Sequence, residues 1–261
     1  MQAKKYLGQH FLTNPSLAAK IVRLADVGSG DSILEIGAGR GILTEALAKT
    51  GASVVAIEKD RELVPSLCER FAGFQNVKIV EGDILQLLGK TGEAKHRKKV
   101  IANLPYNIAT EIIFRLFDHK RLFSALTLML QKEVAERIVA RPNCKDYGLL
   151  SIFSQIHADV KIVLKVSRAA FYPRPKVESA VVQFKILPDL RVPVKNFPLF
   201  REVVRASFAS RRKMIANSLK GHLSGFSPEQ IQKGLESAGI SPLVRAEALT
   251  LEKFVALANT L

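Results

Sequence analysis

The chain has 261 residues, 48% of them apolar and 24% charged, with 16 Gly and 11 Pro; this is the make-up of a globular protein and excludes disordered, collagen-like and coiled-coil chains. Lys and Arg number 39 against 24 Asp and Glu, a formal net charge of +15, which points to a nucleic acid, an acidic membrane surface or an acidic protein as partner. Only Cys68 and Cys144 are present, which argues against a disulfide scaffold and against a thiolate zinc centre. No apolar run reaches the roughly 18 to 20 residues that span a bilayer, and the first residues lack the apolar core of a signal peptide. A soluble, intracellular protein is therefore expected, and it is read as a cytoplasmic monomer without metal.

In chain order, 15–24 reads as an amphipathic helix with Asn14 as its cap. Short apolar runs at 32–36, 53–57, 77–80 and 100–102 read as strands, and helical stretches at 42–49 and 61–71 fit between the first three. A helix over 107–117 and a strand over 125–130 follow, then two more strands at 161–166 and 180–186 that could close the sheet as an antiparallel pair. Buried strands alternating with helices predict an α/β fold with a mostly parallel sheet. The stretch 187–198 carries three prolines, and beyond it the pattern is helical to the end. Two domains are expected, 1–190 and 191–261, the second small and all-helical. Both are basic, with 28 positive and 18 negative side chains over 1–185 and 11 against 6 over 186–261, so no single tail accounts for the charge.

Ligands of parallel α/β sheets bind outside the carboxyl ends of the strands, and here four strand ends are informative. The first is Glu35-Ile36-Gly37-Ala38-Gly39-Arg40-Gly41, a glycine turn opening a helix. The second ends in Glu58, 21 residues after Gly37, where a carboxylate can hold ribose hydroxyls. The third ends in Gly82-Asp83 and the fourth in Asn103-Leu104-Pro105-Tyr106. A dinucleotide fingerprint needs glycine where Ile42 stands, and a P-loop is absent. Glycine at 41 instead suits S-adenosylmethionine, a nucleoside ligand without pyrophosphate.

The fourth strand end suggests the reaction. The lone pair of an aromatic exocyclic amine is delocalised into its ring. An Asn side-chain oxygen and a nearby backbone carbonyl can accept its two hydrogens and localise that pair. Pro105 stiffens the turn, and Tyr106 offers a flat face for an extruded base.

These motifs, with Leu7-Gly8-Gln9-His10-Phe11-Leu12, Leu130 to Val134, Phe171 to Ser179, Phe208 to Lys213 and Arg245 to Glu252, resemble the ribosomal RNA adenine dimethylase family, and its small-subunit branch most. The resemblance runs over nearly the whole chain. It implies a Rossmann-like S-adenosylmethionine-dependent methyltransferase core and two adjacent adenosines as target, in a hairpin loop near the 3′ end of 16S rRNA, each methylated twice on N6 within an immature 30S particle. Carried over residue by residue, the cofactor would be held by His10, Leu12, Gly37, Gly39, Glu58, Asp83 and Asn103, with Asp83 on the adenine amine and Glu58 on the ribose. Asn103, Leu104, Pro105 and Tyr106 would form the catalytic turn, with Phe171 as a second stacking face. Many members have Asn where this chain has His10.

A helix over 199–220 would place Arg201, Arg205, Arg212, Lys213 and Lys220 on one basic arc and Phe200, Val203, Val204, Phe208 and Ile215 opposite, a design for RNA phosphates. Arg211 falls in the apolar sector, which implies either a break near Ser210 or a structural ion pair. The run Lys95 to Lys99 is a second, weaker candidate for RNA binding. An alternative for the whole chain is an RNA-binding assembly or transcription factor that keeps the cofactor pocket as a relic.

Overall fold

The computed structural model describes residues 4, 7–88 and 96–261. Along the chain lie β1 (Phe11–Leu12), α1 (Pro15–Leu24), β2 (Ser32–Ile36), α2 (Ile42–Ala48), β3 (Ser53–Glu58), α3 (Val64–Phe71), β4 (Val77–Glu81), α4 (Ile84–Leu87) and β5 (Lys98–Asn103). They are followed by α5 (Ala109–Asp118), β6 (Phe123–Gln131), α6 (Lys132–Val139), α7 (Leu149–His157), β7 (Ala158–Val166), β8 (Phe171–Tyr172) and β9 (Ser179–Ile186). The last four helices are α8 (Phe197–Phe208), α9 (Ile215–His222), α10 (Pro228–Ser237) and α11 (Leu251–Thr260).

Seven strands form one sheet in the order β4-β3-β2-β5-β6-β9-β7. The pairs from β4 to β6 are all parallel, and β9 runs antiparallel to β6. The centre is mostly apolar, as a parallel sheet under helices requires: Ile33, Val100, Ile101 and Leu126 are all fully buried, with Glu35 and Thr127 the buried polar exceptions on these strands. Strand order reverses between β2 and β5, so the glycine turn after β2 and the Asn103 turn after β5 flank the crevice where such sheets take ligands. The start of α1 follows from its sequence. Pro15 lacks an N–H that would go unused at a first helical position, and Asn14 Oδ1 accepts from Leu17 N at 3.1 Å.

The chain divides into two compact units, residues 1–135 with 159–186 and residues 136–158 with 187–261. Composition placed the change of domain near 190, and the chain does leave the first unit at 186, but the segment 136–158 belongs with the second. Its aromatic residues account for this: Phe153 meets Phe200 edge-on at 5.9 Å, and Tyr147 meets Phe208 at 6.2 Å.

The helix expected over 199–220 is two helices. α8 stops at Phe208, and α9 begins at Ile215, whose N–H is satisfied by the Val244 carbonyl at 2.7 Å. The break turns Arg211, itself exposed, onto the segment before α7, where Nη2 donates to the carbonyls of Lys145 at 2.5 Å and Tyr147 at 2.9 Å. Cations expected on one helix thus sit on two elements. Arg205 is exposed on α8, Arg212 and Lys213 are exposed in the intervening turn, and half-buried Arg201 stacks over the Phe153 ring at 6.0 Å.

Candidate active site

A cavity opens at the carboxyl ends of β2, β3 and β5, bounded by the glycine turn, Glu58, Asp83, the Asn103–Tyr106 turn and the segment Leu7–Leu12. Gly37, Gly39 and Gly41 all take left-handed φ angles, +76°, +58° and +80°, where a side chain would be strained. A Cβ on Gly39 would also stand 3.1 Å from the Phe11 ring, and one on Gly41 would be 2.8 Å from Phe71. The turn therefore needs glycine both for its path and for its neighbours.

Glu58 ends β3 with its carboxylate buried, and it spans two backbone donors: Oε2 accepts from Gly39 N at 2.7 Å and Oε1 from Asp60 N at 2.8 Å. Burial pushes this carboxyl above its usual range, against the stabilising N–H groups of Asp60 and Gly39. Each oxygen keeps a lone pair for a further donor. Burial acts upward on Asp83 as well, but Lys59 Nζ at 2.7 Å and Leu85 N at 3.0 Å outweigh it and hold that carboxyl below its usual value. Asp83 is thus a charged acceptor at the cavity wall.

The segment Leu7–Leu12 is fixed across the cavity by interactions that sequence reasoning missed. Buried Asp60 accepts from Lys4 Nζ at 2.7 Å and from Gln9 Nε2 at 2.8 Å. β1 pairs antiparallel with β8, Leu12 opposite Phe171. His10 Nδ1 lies 2.7 Å from the Pro173 carbonyl, and the His10 backbone carbonyl accepts from Asn103 Nδ2 at 2.9 Å. Tyr106 stacks loosely on the His10 ring at 5.2 Å, and its hydroxyl lies 2.6 Å from Ser179 Oγ. A carboxylate two residues after Glu58, and a serine closing the Phe171 to Ser179 motif, were the signals available for Asp60 and Ser179.

His10, Leu12, Gly37, Gly39, Glu58, Asp83, Asn103, Leu104, Pro105 and Tyr106 all line the cavity. Phe171 does not: only 4% exposed, its ring packs into the hydrophobic core, and the exposed aromatic of that loop is Tyr172 at 60%. The β1–β8 pairing turns Phe171 inward, so the face-stacking role expected for it has no support in its placement. In the basic run, Lys95 lies outside the described residues. Lys99 is engaged by Asp31 at 2.8 Å and the Asp26 carbonyl at 2.5 Å, which leaves it a structural ion pair. Among the described residues, no group of three or more His, Cys, Asp or Glu is placed to hold a metal, and no helix is long and apolar enough to cross a membrane.

A seven-stranded, mostly parallel sheet with a ligand crevice at its topological switch point and an appended helical unit defines a Rossmann-like methyltransferase fold. Solved structures share it. The dimethyladenosine transferase of Plasmodium falciparum superposes with a TM-score of 0.80 at 29% identity, covering 95% of this chain and 96% of that one. The 23S rRNA methyltransferase ErmE has the same fold, with a TM-score of 0.70 at 24% identity over 96% and 98% of the two chains. Residues 1–261 match the model of the ribosomal RNA adenine dimethylase family, and the chain belongs to that family. Ribosomal RNA small subunit methyltransferase A of Geobacter sulfurreducens is 46% identical over 266 residues, covering 100% of this chain and 96% of that protein. The protein of the same name from Caldanaerobacter subterraneus subsp. tengcongensis is 43% identical, covering 100% and 98%.

Proposed function

We propose that this chain transfers methyl groups from S-adenosylmethionine to the N6 amines of two adjacent adenosines in a hairpin loop near the 3′ end of small-subunit rRNA. The product is N6,N6-dimethyladenosine, made within an immature 30S particle in the cytoplasm. The observation that carries the chemistry is the orientation of Asn103. Because Nδ2 is committed to the His10 carbonyl, Oδ1 is the atom left to accept a hydrogen from the amine.

The second acceptor is the Leu104 backbone carbonyl. The neighbouring Pro105 carbonyl is taken by Ile108 N at 3.3 Å, whereas that of Leu104 accepts no hydrogen bond among the described residues. Two fixed acceptors on one nitrogen draw its lone pair out of the ring. Tyr106 would support the base by its ring face.

The residues present fit the cofactor. Glu58 retains acceptor capacity for ribose hydroxyls, Asp83 for the adenine amine, and His10, Leu12, Gly37 and Gly39 complete the wall. S-adenosylmethionine, when bound there, supplies a methyl group on a sulfonium that is already a good leaving group. A strong general base is not required of the protein. The exposed cations Arg205, Arg212 and Lys213, with Arg201 beside them, are the proposed RNA-docking surface of the helical unit, and one chain carries all of these parts.

The test is incubation of the protein with labelled S-adenosylmethionine and small-subunit particles from a strain lacking the modification. Label is expected in two adjacent adenosines. Tight particle binding without transfer to RNA would sink the enzyme reading and leave an assembly factor.

A further inference from the structure

Tyr106 is held at two places. Its hydroxyl lies 2.6 Å from Ser179 Oγ, and one ring face meets the imidazole of His10, with centroids 5.2 Å apart and 30° between the planes. Ser179 is itself fixed: it is fully buried, and as the first residue of β9 it pairs with Gln131 of β6. His10 is fixed too, since its Nδ1 lies 2.7 Å from the Pro173 carbonyl. A carbonyl only accepts, so Nδ1 carries the proton and the ring is held in one plane.

We propose that Ser179 and His10 are positioning residues that hold the Tyr106 ring as a preset platform for the target adenine, with the ring face opposite His10 as the one the base uses. This rests on the reading of Tyr106 as a stacking surface. A tyrosine free to turn about its side-chain bonds would lose that freedom each time a base stacked on it. One fixed beforehand does not, and the reacting amine then arrives in one place relative to Asn103. With its hydroxyl bonded to Ser179 Oγ, Tyr106 meets the base by its ring face. The chain thereby ties its base-side turn to the antiparallel strand β9 and to the cofactor-side segment at once.

Ser179→Ala and Tyr106→Phe remove the same hydrogen bond from its two ends. In single-turnover methylation of unmodified particles at saturating S-adenosylmethionine, each is expected to slow transfer roughly five- to ten-fold, the scale of one net hydrogen bond. The double variant should be no slower than either single, because both act on one link. Cofactor affinity should be unchanged in Ser179→Ala, which a general packing defect beside the site would not leave intact. His10→Ala should add its own loss to that of Ser179→Ala, since it frees the ring at a different place.

Parental rates in both Ser179→Ala and Tyr106→Phe, or additive losses in their double variant, would overturn the proposal. If Ser179→Ala does not fold, Tyr106→Phe alone decides, and a parental rate counts against it. Tyr106→Ala separates the two levels of the argument. A parental rate there defeats the stacking reading itself, whereas an inactive Tyr106→Ala beside a fully active Ser179→Ala defeats only the anchor.

Discussion

Asn103 donates from Nδ2 to the backbone carbonyl of His10 at 2.9 Å, so the residue proposed to grip the target amine is oriented by the segment proposed to wall in the cofactor. The acceptor is a main-chain atom. Replacing the His10 side chain therefore leaves this bond in place, and the geometry of Asn103 does not depend on which side chain stands at position 10.

Removing the Asn103 carboxamide should abolish most transfer. One preorganised acceptor at a reacting centre is worth roughly 10²–10³ in rate, and Asn103→Ala is expected to lose that much with little change in cofactor affinity. Asn103→Asp should also be poor, for a different reason: one carboxylate oxygen would face the His10 carbonyl, acceptor against acceptor. Single-turnover rates within a few-fold of the parent in either variant would contradict the orientation argument.

Glu58 has two tasks, and its variants should separate them. Glu58→Ala removes both the acceptor for the cofactor and the bridge between Gly39 N and Asp60 N. Binding of S-adenosylmethionine should weaken by about 1–3 kcal/mol, the scale of removing a hydrogen bond to a charged group. Glu58→Gln keeps one acceptor oxygen and should lose less. NADH should not bind the parent; calorimetry showing micromolar dinucleotide affinity would overturn the reading of Gly37, Gly39 and Gly41.

Much of this was legible in the residues because the informative features are local. Strands such as 32–36 and 53–58 are short apolar runs bounded by turn residues, and the four strand ends that form the cavity each carry their chemistry within a few positions. What escaped sequence reasoning depends on partners far along the chain. Nothing near Phe171 reveals that pairing with Leu12 turns its ring into the core. Arg211 in the apolar sector did point to a break near Ser210 as one alternative, but nothing nearby reveals that the distant Val244 carbonyl accepts from Ile215 N where the new helix starts. Asp60 is visible as a carboxylate, but its partners Lys4 and Gln9 lie more than 50 positions away.

Glu35 lies at the sheet centre beneath the glycine turn, 1% exposed, and among the described residues neither carboxyl oxygen has a well-formed hydrogen bond, Thr44 being the polar group beside it. Burial pushes its pKa up to about 8, although the adjacent Thr44 hydroxyl and N–H act to lower it and nearby Glu58 adds to the rise. The folded protein then holds a proton that the unfolded chain, titrating near roughly 4.3, has released. Between those two values the native state binds more protons, so this group's contribution to stability falls as pH rises. Glu35→Gln cannot titrate. Its stability relative to the parent should therefore improve steadily from about pH 5 to about pH 8, as read from urea midpoints, and a constant difference across that range would refute the assignment.

The proposed reaction requires two adenosines to be chosen among all those in a ribosome. A turn that grips an amine and a ring that supports a flat base recognise features of every unpaired adenosine, so selection must come from a second surface docked on distant RNA. The break between α8 and α9 decides which cations can serve. Arg211 is committed to the carbonyls of Lys145 and Tyr147, and Arg201 lies half-buried against Phe153, whereas Arg205, Arg212 and Lys213 stand exposed. Removing one cation from an RNA phosphate should lower the slope of log affinity against log salt by roughly 0.7–0.9. Arg205→Glu combined with Arg212→Glu is therefore expected to weaken particle binding and flatten its salt dependence while S-adenosylmethionine affinity stays the same. Arg211→Ala should behave differently, lowering the melting temperature because two carbonyls lose their donor, with the salt slope unchanged. An unaltered slope in the double charge reversal would move the docking surface elsewhere, and His96 to Lys98 would be the next group to reverse.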